Sequence, residues 1–421
     1  MQILENFIWN YLTIPLLLGI GLFFTVVMKF PQIRFKNIKQ SFRQDESSNE
    51  LSPVATLMIA LSARVGVGTL AGTGLAIAVG GPGAVFWMWI SAIITAGAAF
   101  VENTFAQEFK RKKRRTYFGG PAIYINDGLK NKLLAITYSI LFIVTYTFGF
   151  VAVQTNTMTT TIKQNMDINP LIIGVVLTIL TGFVITGSRE KISKLIAKII
   201  PYIAILFFGI GIVTIITNLD YVPQFFQEIV GSAFGLGAAT GGGIGVAIAT
   251  GIKRGVFSNE AGIGTGSHAA AITHHKDPRE QGYIGIVGIY FTTIVSISLV
   301  AFIIMSSGSH LNVVATGNGI EFLHHALLHF FGPITAFILP ILIFTFAFST
   351  IITAYLYGVM NVEFLTDKKN AITVLRSLLL IIVFISALVY PGAIWSLVDI
   401  GVGIIAIINL IAIFLLWHKA K

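Results

Sequence analysis

The fold class this sequence predicts is an all-α polytopic membrane protein of about eleven transmembrane helices. Three observations predict it: a mean hydropathy of +0.83, recurrent apolar runs, and basic residues that fall on alternate loops. With 55% hydrophobic and 11% charged residues over 421 positions, the chain carries more apolar surface than one water-soluble core can hide. The runs reach roughly 18 or more residues, enough to cross a hydrocarbon slab of about 30 Å at about 1.5 Å per residue. Helix is the required spanning form, because a closed barrel would show short alternating segments. The absence of cysteine removes disulfides, thiol catalysis and thiolate metal sites.

The first run, near 9–29, ends in MKFPQIRFK without the small-residue cleavage site of a signal peptide, so a retained helix is expected. Residues 1–52 then form an N-terminal transmembrane helix and a cytoplasmic linker. Runs near 53–79, 83–109, 133–163, 170–187 and 192–217 make a first five-helix repeat over 53–217. Runs near 235–272, 281–305, 332–361, 371–389 and 393–417 make a second over 218–417, with an outer loop at 306–331 and a tail at 418–421.

Lys and Arg test this count. Clusters follow the first span (Lys29, Arg34, Lys36, Lys39, Arg43) and the third (110–115, then Lys130 and Lys132). Others fall at Arg189, Lys191, Lys194 and Lys198, at Lys276 and Arg279, at Lys368, Lys369 and Arg376, and at Lys419 and Lys421. These hold 24 of the 28 basic residues, whereas the loops at 80–82, 218–234, 306–331 and 390–392 hold none. The positive-inside rule puts the N-terminus outside and the C-terminus in the cytoplasm. A prokaryotic plasma membrane is the expected location, and the net charge of +10 reflects cytoplasmic loops rather than nucleic-acid binding. The KRKKRR run at 110–115 reads as a topogenic anchor or anionic-lipid contact for the same reason. Trp87, Trp89 and Trp417 read mostly as interfacial belt residues.

Arg64, Lys253 and Arg254 lie inside spans, where an unpaired charge is costly, so each should face a partner or water. Glu102, Glu260 and Asp399 are the candidate carboxylates, and the sequence leaves the pairing open. Glu260 reads either as a structural partner of Lys253, Arg254 or a helix end, or as a coupling carboxylate, protonated or facing sodium.

Two spans are interrupted. The span 53–79 contains Gly66-Val67-Gly68-Thr69, then Gly72 and Gly74. The span 235–272 contains Gly241-Gly242-Gly243, Gly245, Gly251 and Gly255, then Phe257-Ser258-Asn259-Glu260-Ala261-Gly262, Gly264 and Gly266. Glycine lowers helix propensity by nearly 1 kcal/mol per residue, although it also lets membrane helices pack closely. Setting the N-terminal helix aside, these are the first and sixth of ten spans, so they occupy matched positions of two five-helix halves of opposite orientation. Gly-interrupted helices at matched positions of an inverted repeat point to a transporter's binding site. The break frees N–H groups that attract a carboxylate and carbonyls that attract a small cation. Ser258, Asn259 and free carbonyls can accept from an ammonium group.

These residues resemble the alanine or glycine:cation symporter family. The resemblance lies in GVGTLAGTGLAIAVGGPGAVFWMWISA at 66–92 and KRGVFSNEAGIGTGSHAAA at 253–271. It extends through FGGPAIYINDGL at 118–129, GFVAVQTNT at 149–157 and FAFSTII at 346–352, over most of the chain. It implies the LeuT-type inverted-repeat transporter fold, with discontinuous first and sixth core helices and one extra N-terminal helix. It also implies rocking of a bundle of core helices one, two, six and seven against a scaffold of three, four, eight and nine. The substrate, a small neutral amino acid such as alanine or glycine, would meet Val67, Gly68 and Thr69, with Ser258, Asn259 and Gly262 lining the facing break and Gln154 and Asn156 bordering the pocket. A sodium ion, the implied coupling ion with a proton as the alternative, would use Ser62, Val65, Ser349 and Thr350. Hydroxyls such as those of Ser349 and Thr350 also commonly bond back to their own helix.

Two departures stand out. Thr69 replaces the family's usual asparagine, and Ile352-Thr353-Ala354-Tyr355 replaces a common glycine and tryptophan, a space that Tyr355 or Tyr357 could fill. Glu321, His325 and His329 have metal-compatible spacing but sit in the outer loop, where an amphipathic surface helix is the simpler account. His274 and His275 open an intracellular loop. A channel would need a continuous ring-lined pathway, and an enzyme would need a motif this chain lacks. A transporter-like sensor stays compatible with the sequence. Bilayer lipid and the amino acid are the expected partners, with no nucleic acid and no obligatory protein partner.

Overall fold

The computed structural model describes residues 1–43, 51–113, 116–235, 243–312, 319–389 and 392–419. Its first helix is α1 (Gln2–Val27). Then come α2 (Pro53–Arg64) and α3 (Val67–Gly80), bent by 47° at the two residues between them. α4 (Gly83–Glu108) leads into a hairpin, β1 (Arg111–Lys113) with β2 (Thr116–Phe118), and the short α5 (Pro121–Gly128). α6 (Lys132–Met166), α7 (Pro170–Ile185) and α8 (Arg189–Thr217) follow. The second interrupted helix is α9 (Gly243–Asn259) with α10 (Thr265–Ala270). The rest are α11 (Arg279–Ser306), the outer α12 (Ile320–Phe331), α13 (Thr335–Leu365), α14 (Lys369–Leu388) and α15 (Gly392–Leu415). Among the described residues, helices stand at each of the eleven expected positions; eight helices are long and apolar enough to cross a membrane, or nine when the bent pair α2–α3 counts as one span, and α7 is a shorter apolar helix. Gly241 and Gly242 of the triple glycine, Arg114, Arg115 and Lys421 lie outside the described residues.

Element boundaries differ where polar chain is stabilised locally. The first helix begins at Gln2 rather than near residue 9, because Glu5 is buried against Lys253. α8 begins at Arg189 rather than 192, because the Ser188 hydroxyl caps it by accepting from the Lys191 N–H. Trp87 and Trp89, read from the sequence as interfacial belt residues, are half-buried. Their indole N–H groups donate inside the protein, to the Ala233 carbonyl at 3.3 Å and the Ser298 hydroxyl at 2.9 Å.

The packing separates into two bodies. α4 is the centre of one, with α1, α9 and α11 laid against it and α3 against α9. Small residues allow the approach: a Cβ at Gly97 would lie 2.8 Å from the Gly21 carbonyl oxygen, and one at Gly255 would lie 2.8 Å from the Ser91 hydroxyl. The other body joins α6 to α13 and α14, and α7 to α14. α7, α8 and α14 leave Phe183, Ile205, Ile212 and Ile381 exposed, an apolar belt that requires lipid.

The basic run after α4 forms the hairpin, paired Arg111 to Phe118 and Lys113 to Thr116. Arg111 clamps Asp127 of α5 at 2.6 and 3.0 Å, and Lys110 and Lys112 lie over the Tyr117 ring. Burial pushes the Asp127 carboxyl up, but its bonds from Arg111 and Asn126 outweigh this and hold it below the usual carboxylate range. The clamp therefore contributes fully above the unfolded value of about 3.9 and is lost as pH falls through the lower folded value. The pair is part-exposed, so its contribution is about 0–1 kcal/mol. Asp127→Asn should speed trypsin cleavage in the basic run a few-fold at neutral pH, with unchanged cleavage elsewhere.

Candidate functional site

The site begins with the sequence Arg64-Val65-Gly66-Val67. Val65 and Gly66 leave helical geometry, so the last carbonyls of α2 and the first N–H groups of α3 lack intrahelical partners. Three neighbours supply them. The Gln154 side-chain oxygen on α6 accepts from the Val67 N–H at 3.1 Å. The Thr350 hydroxyl on α13 reaches the Ser62 carbonyl at 2.9 Å, and the Thr69 hydroxyl turns back to the Arg64 carbonyl at 3.0 Å.

The second break starts at Asn259, where the chain turns through Glu260, Gly262 and Gly264 at φ of 58°, 77° and 89°. Glycine meets this left-handed requirement without strain at two of the three positions, while Glu260 bears it as a non-glycine residue. Asn259 stabilises the turn by accepting from the Ala261 N–H and donating to Thr293 on α11, both at 3.0 Å. The two breaks meet where the Thr69 and Ser258 hydroxyls lie 2.7 Å apart. An aromatic wall stands beside them: Phe257 against Phe150 at 5.1 Å and Trp395 at 5.8 Å.

Of the residues expected from the sequence, Val67, Gly68, Thr69, Gln154 and Ser258 come together, all fully buried. Gln154 Nε2 is a buried donor without a partner among the described residues. Asn156 is placed elsewhere, its amide donating to the Ser386 and Val389 carbonyls at 3.1 and 2.5 Å. Gly262 presents its carbonyl to Asn409 at 2.9 Å. In the expected cation group, Ser62, Val65 and Thr350 flank the first break, while the Ser349 hydroxyl bonds back to Phe346 at 2.9 Å. Thr353, one helical turn on, joins this group through the Ser62 hydroxyl at 2.5 Å. Tyr355 faces the basic side with Arg376 against its hydroxyl, and Tyr357 stacks on Tyr146 and His268, so neither stands at the first break.

The intramembrane charges resolve in part. Asp399 on α15 binds both Lys253 and Arg254 at 2.8 Å, and Lys253 also binds Glu5. Glu260 is not their partner: it accepts from the Tyr146 hydroxyl at 2.6 Å. Sequence reasoning missed Tyr146, Thr353 and Asn409. The available signal was a polar group inside an apolar span, which for Asn409 stands out and for Tyr146 does not. On the side of the basic loops, a cavity of about 560 Å³ opens between Arg189 and Glu363, paired at 3.3 Å, and Tyr355. His275 pairs with Glu280 at 2.6 Å beside this face. The α12 residues Glu321, His325 and His329 form no group of three metal-ligating side chains among the described residues.

The sequence profile of the sodium:alanine symporter family matches residues 1–421. The amino-acid carrier protein AlsT of Bacillus subtilis (strain 168) is 37% identical over 100% of this chain and 90% of its own length. The probable sodium/glutamine symporter GlnT of the same organism is 36% identical over 98% of this chain and 87% of its own length. Among solved structures, that of MhsT in complex with L-phenylalanine superposes with a TM-score of 0.61 at 15% identity, over 90% of this chain and 100% of that one. This likeness carries the fold, the LeuT type. Full-length family agreement and two helix breaks meeting inside that fold make the protein a multi-pass amino-acid transporter rather than an enzyme, and the chain belongs to the sodium:alanine symporter family.

Proposed function

We propose that the chain imports small neutral amino acids, alanine or glycine, together with sodium by alternating access. The observation that carries this reading is the meeting of the two helix breaks, Thr69 to Ser258 at 2.7 Å, with the Thr350–Ser62 contact on the other side of the first break. The substrate carboxylate binds at the N-terminus of α3, where the helix dipole and the Gln154 amide favour an anion. Its ammonium faces Ser258 and the free carbonyls of the second break. Asn156, Asn259 and Gly262 hold the frame of the pocket. Thr69 and Ser258 are both fully buried and in contact, which favours a small side chain.

Sodium binds the Ser62 and Val65 carbonyls with the Ser349 and Thr350 hydroxyls, hard oxygen ligands for a hard cation. α2, α3, α4, α9, α10 and α11 form the moving bundle, and α6, α7, α13 and α14 the scaffold, two repeats over 53–217 and 218–417. The N-terminus lies outside and the C-terminus in the cytoplasm, because the basic loops face inward. The cavity beside Arg189 and Glu363 is then the inward vestibule. A second reading, transport of another neutral amino acid, draws on Thr69, whose hydroxyl replaces an amide at the carboxylate end.

The test is uptake of labelled alanine and glycine into proteoliposomes with an inward sodium gradient and the proton gradient clamped. Accumulation that needs sodium supports the reading; accumulation on a proton gradient alone moves the coupling, and uptake only of a larger neutral amino acid moves the substrate. A transporter-like sensor would bind without accumulating. Thr350→Val should raise the sodium concentration for half-maximal uptake. A ligand contact to a charged group contributes about 1.5–3 kcal/mol, or roughly ten- to hundredfold. The alanine dependence at saturating sodium should change little.

A further inference from the structure

The interior of the bundle holds one cation and two carboxylates that no ion pair resolves. The Arg64 guanidinium at the end of α2 lies in a slot formed by glycines: a Cβ at Gly266 on α10 or Gly288 on α11 would overlap it. Its Nη1 donates to the Gly285 carbonyl at 3.5 Å, while Nε and Nη2 have no partner among the described residues. Glu102 on α4 and Glu260 at the second break both lie within its Coulombic reach, and each is buried. Neither comes within 4.0 Å of a basic nitrogen among the described residues.

Each carboxylate has one oxygen in a well-formed hydrogen bond and the other without one among the described residues. Asn409 donates to Glu102 Oε2 at 2.9 Å and also to the Gly262 carbonyl, which ties Glu102 to the loop that carries Glu260. Tyr146 donates to Glu260 Oε1 at 2.6 Å. Glu102 Oε1 and Glu260 Oε2 are buried with no well-formed hydrogen bond among the described residues, although the Gly262 backbone N–H lies by Glu102 and the Thr265 hydroxyl by Glu260; the Tyr357 hydroxyl is likewise buried without one. The other titratable neighbours bring no positive charge. His268 of α10 accepts from Asn361 at Nε2 and turns Nδ1 to the Gly264 carbonyl at 3.1 Å, the pattern of a neutral imidazole. Tyr138 donates to the Ile263 carbonyl, and Tyr124 of α5 donates to Asn409. Lys253, Arg254, Asp399 and Glu5 pair among themselves.

One guanidinium against two carboxylates leaves one negative charge in a water-poor interior. An uncompensated buried charge costs several kcal/mol, and a carboxylate escapes that cost by taking up a proton. We propose that Glu102 and Glu260 form a proton site. The pair holds one exchangeable proton while Arg64 balances the other carboxylate, and cation and amino-acid binding at the adjoining breaks displace it. On displacement the carboxyl O–H bond breaks, and the proton passes to water of the basic-side vestibule. The connection runs through the chain at the two breaks: the Arg64 carbonyl accepts from the Thr69 hydroxyl and the Gly66 N–H at the first, and Glu260 follows Ser258 by two residues at the second. The displacement step rests on the symport reading; the resting proton does not.

Infrared spectroscopy of the purified full-length protein tests both parts. A protonated-carboxyl C=O band between about pH 5 and about pH 9, where ordinary glutamates are mainly ionised, should shift on ¹³C-glutamate labelling of the wild type, which needs no variant. It should disappear in Glu102→Gln or Glu260→Gln, and in the wild type on adding sodium with alanine. Absence of a label-sensitive band, or a band that survives both variants, overturns the site. A band unchanged by sodium and alanine overturns the displacement. A separate radiolabelled-alanine binding assay shows whether that last result reflects failure of the symport reading instead.

Discussion

Asp399→Leu is expected to be among the most destabilising single changes in this protein. Asp399 accepts from Lys253 and Arg254 at 2.8 Å each, and its carbonyl accepts from the Trp9 indole at 2.8 Å. The carboxylate is 1% exposed, and Lys253 has Glu5 as its other partner. Removing the carboxylate leaves two cations against one anion at a buried three-helix junction of α1, α9 and α15. Breaking a buried pair in this way costs about 3–5 kcal/mol, mostly as the desolvation penalty of the charge left behind. The measurement is the apparent melting temperature in detergent, which should fall well below that of the wild type. Replacing the whole quartet, Glu5→Gln, Lys253→Met, Arg254→Met and Asp399→Leu, should recover most of the loss, because apolar side chains of similar size avoid the penalty. If the single variant melts like the wild type, the cluster is hydrated and the argument from burial fails. A quartet variant that stays unstable would show that Trp9 and the α1 contact, rather than charge, set the stability of this junction.

That cluster also shows where the sequence stops being informative. Lys253, Arg254 and Asp399 announce themselves as charges inside apolar runs, so the need for partners is legible. The partner assignment is not, because it depends on which helix faces which, and Glu5 reaches the cluster only because α1 lies against α4 and α9. The spans and their breaks were readable for a simpler reason: apolar length and glycine density are local properties. Thr69 and Ser258 were readable as candidates because they sit within the breaks themselves, which the structure brings together. Asn156 was not separable from Gln154 by pattern, since both lie on α6 within one turn. The wide helical turn Ile143–Phe150, which precedes them and carries Tyr146, leaves no mark in composition. Its outcome, Gln154 turned to Val67 and Asn156 turned to α14, is fixed only by packing. Tyr357 shows the same limit from the other side. The sequence offered it, with Tyr355, as a possible filler of the space a tryptophan would occupy; in the structure it stacks on His268 and Tyr146.

Gly66→Ala should abolish sodium-driven uptake while leaving the fold intact, and two neighbouring glycines make the reason testable. The Gly66 backbone, at φ −136° and ψ −153°, is extended, so an alanine there is limited by space rather than by conformation. A Cβ would lie 2.7 Å from the Thr350 hydroxyl and 3.2 Å from Gln154 Oε1. One methyl group thus pushes at the hydroxyl of the cation group and at the amide that holds Val67. Overpacking of this kind costs about 1–3 kcal/mol of stability, which a large bundle tolerates. Loss of both contacts should cost uptake roughly 3 kcal/mol, or more than about a hundredfold. At Gly68 the same methyl meets Phe257, its ring at 3.1 Å, which can yield by a few tenths of an ångström, and its carbonyl oxygen at 3.4 Å, an ordinary contact, so Gly68→Ala should reduce uptake without changing its sodium dependence. At Gly72 nothing lies within 4 Å, and Gly72→Ala should transport like the wild type. The measurement is initial uptake against sodium concentration for the three variants at matched protein levels. Loss graded from 66 to 68 to 72 ties function to the crowded side of the first break; equal losses at all three would instead mean that α3 needs glycine for flexibility, and the cation group beside Thr350 would lose its support.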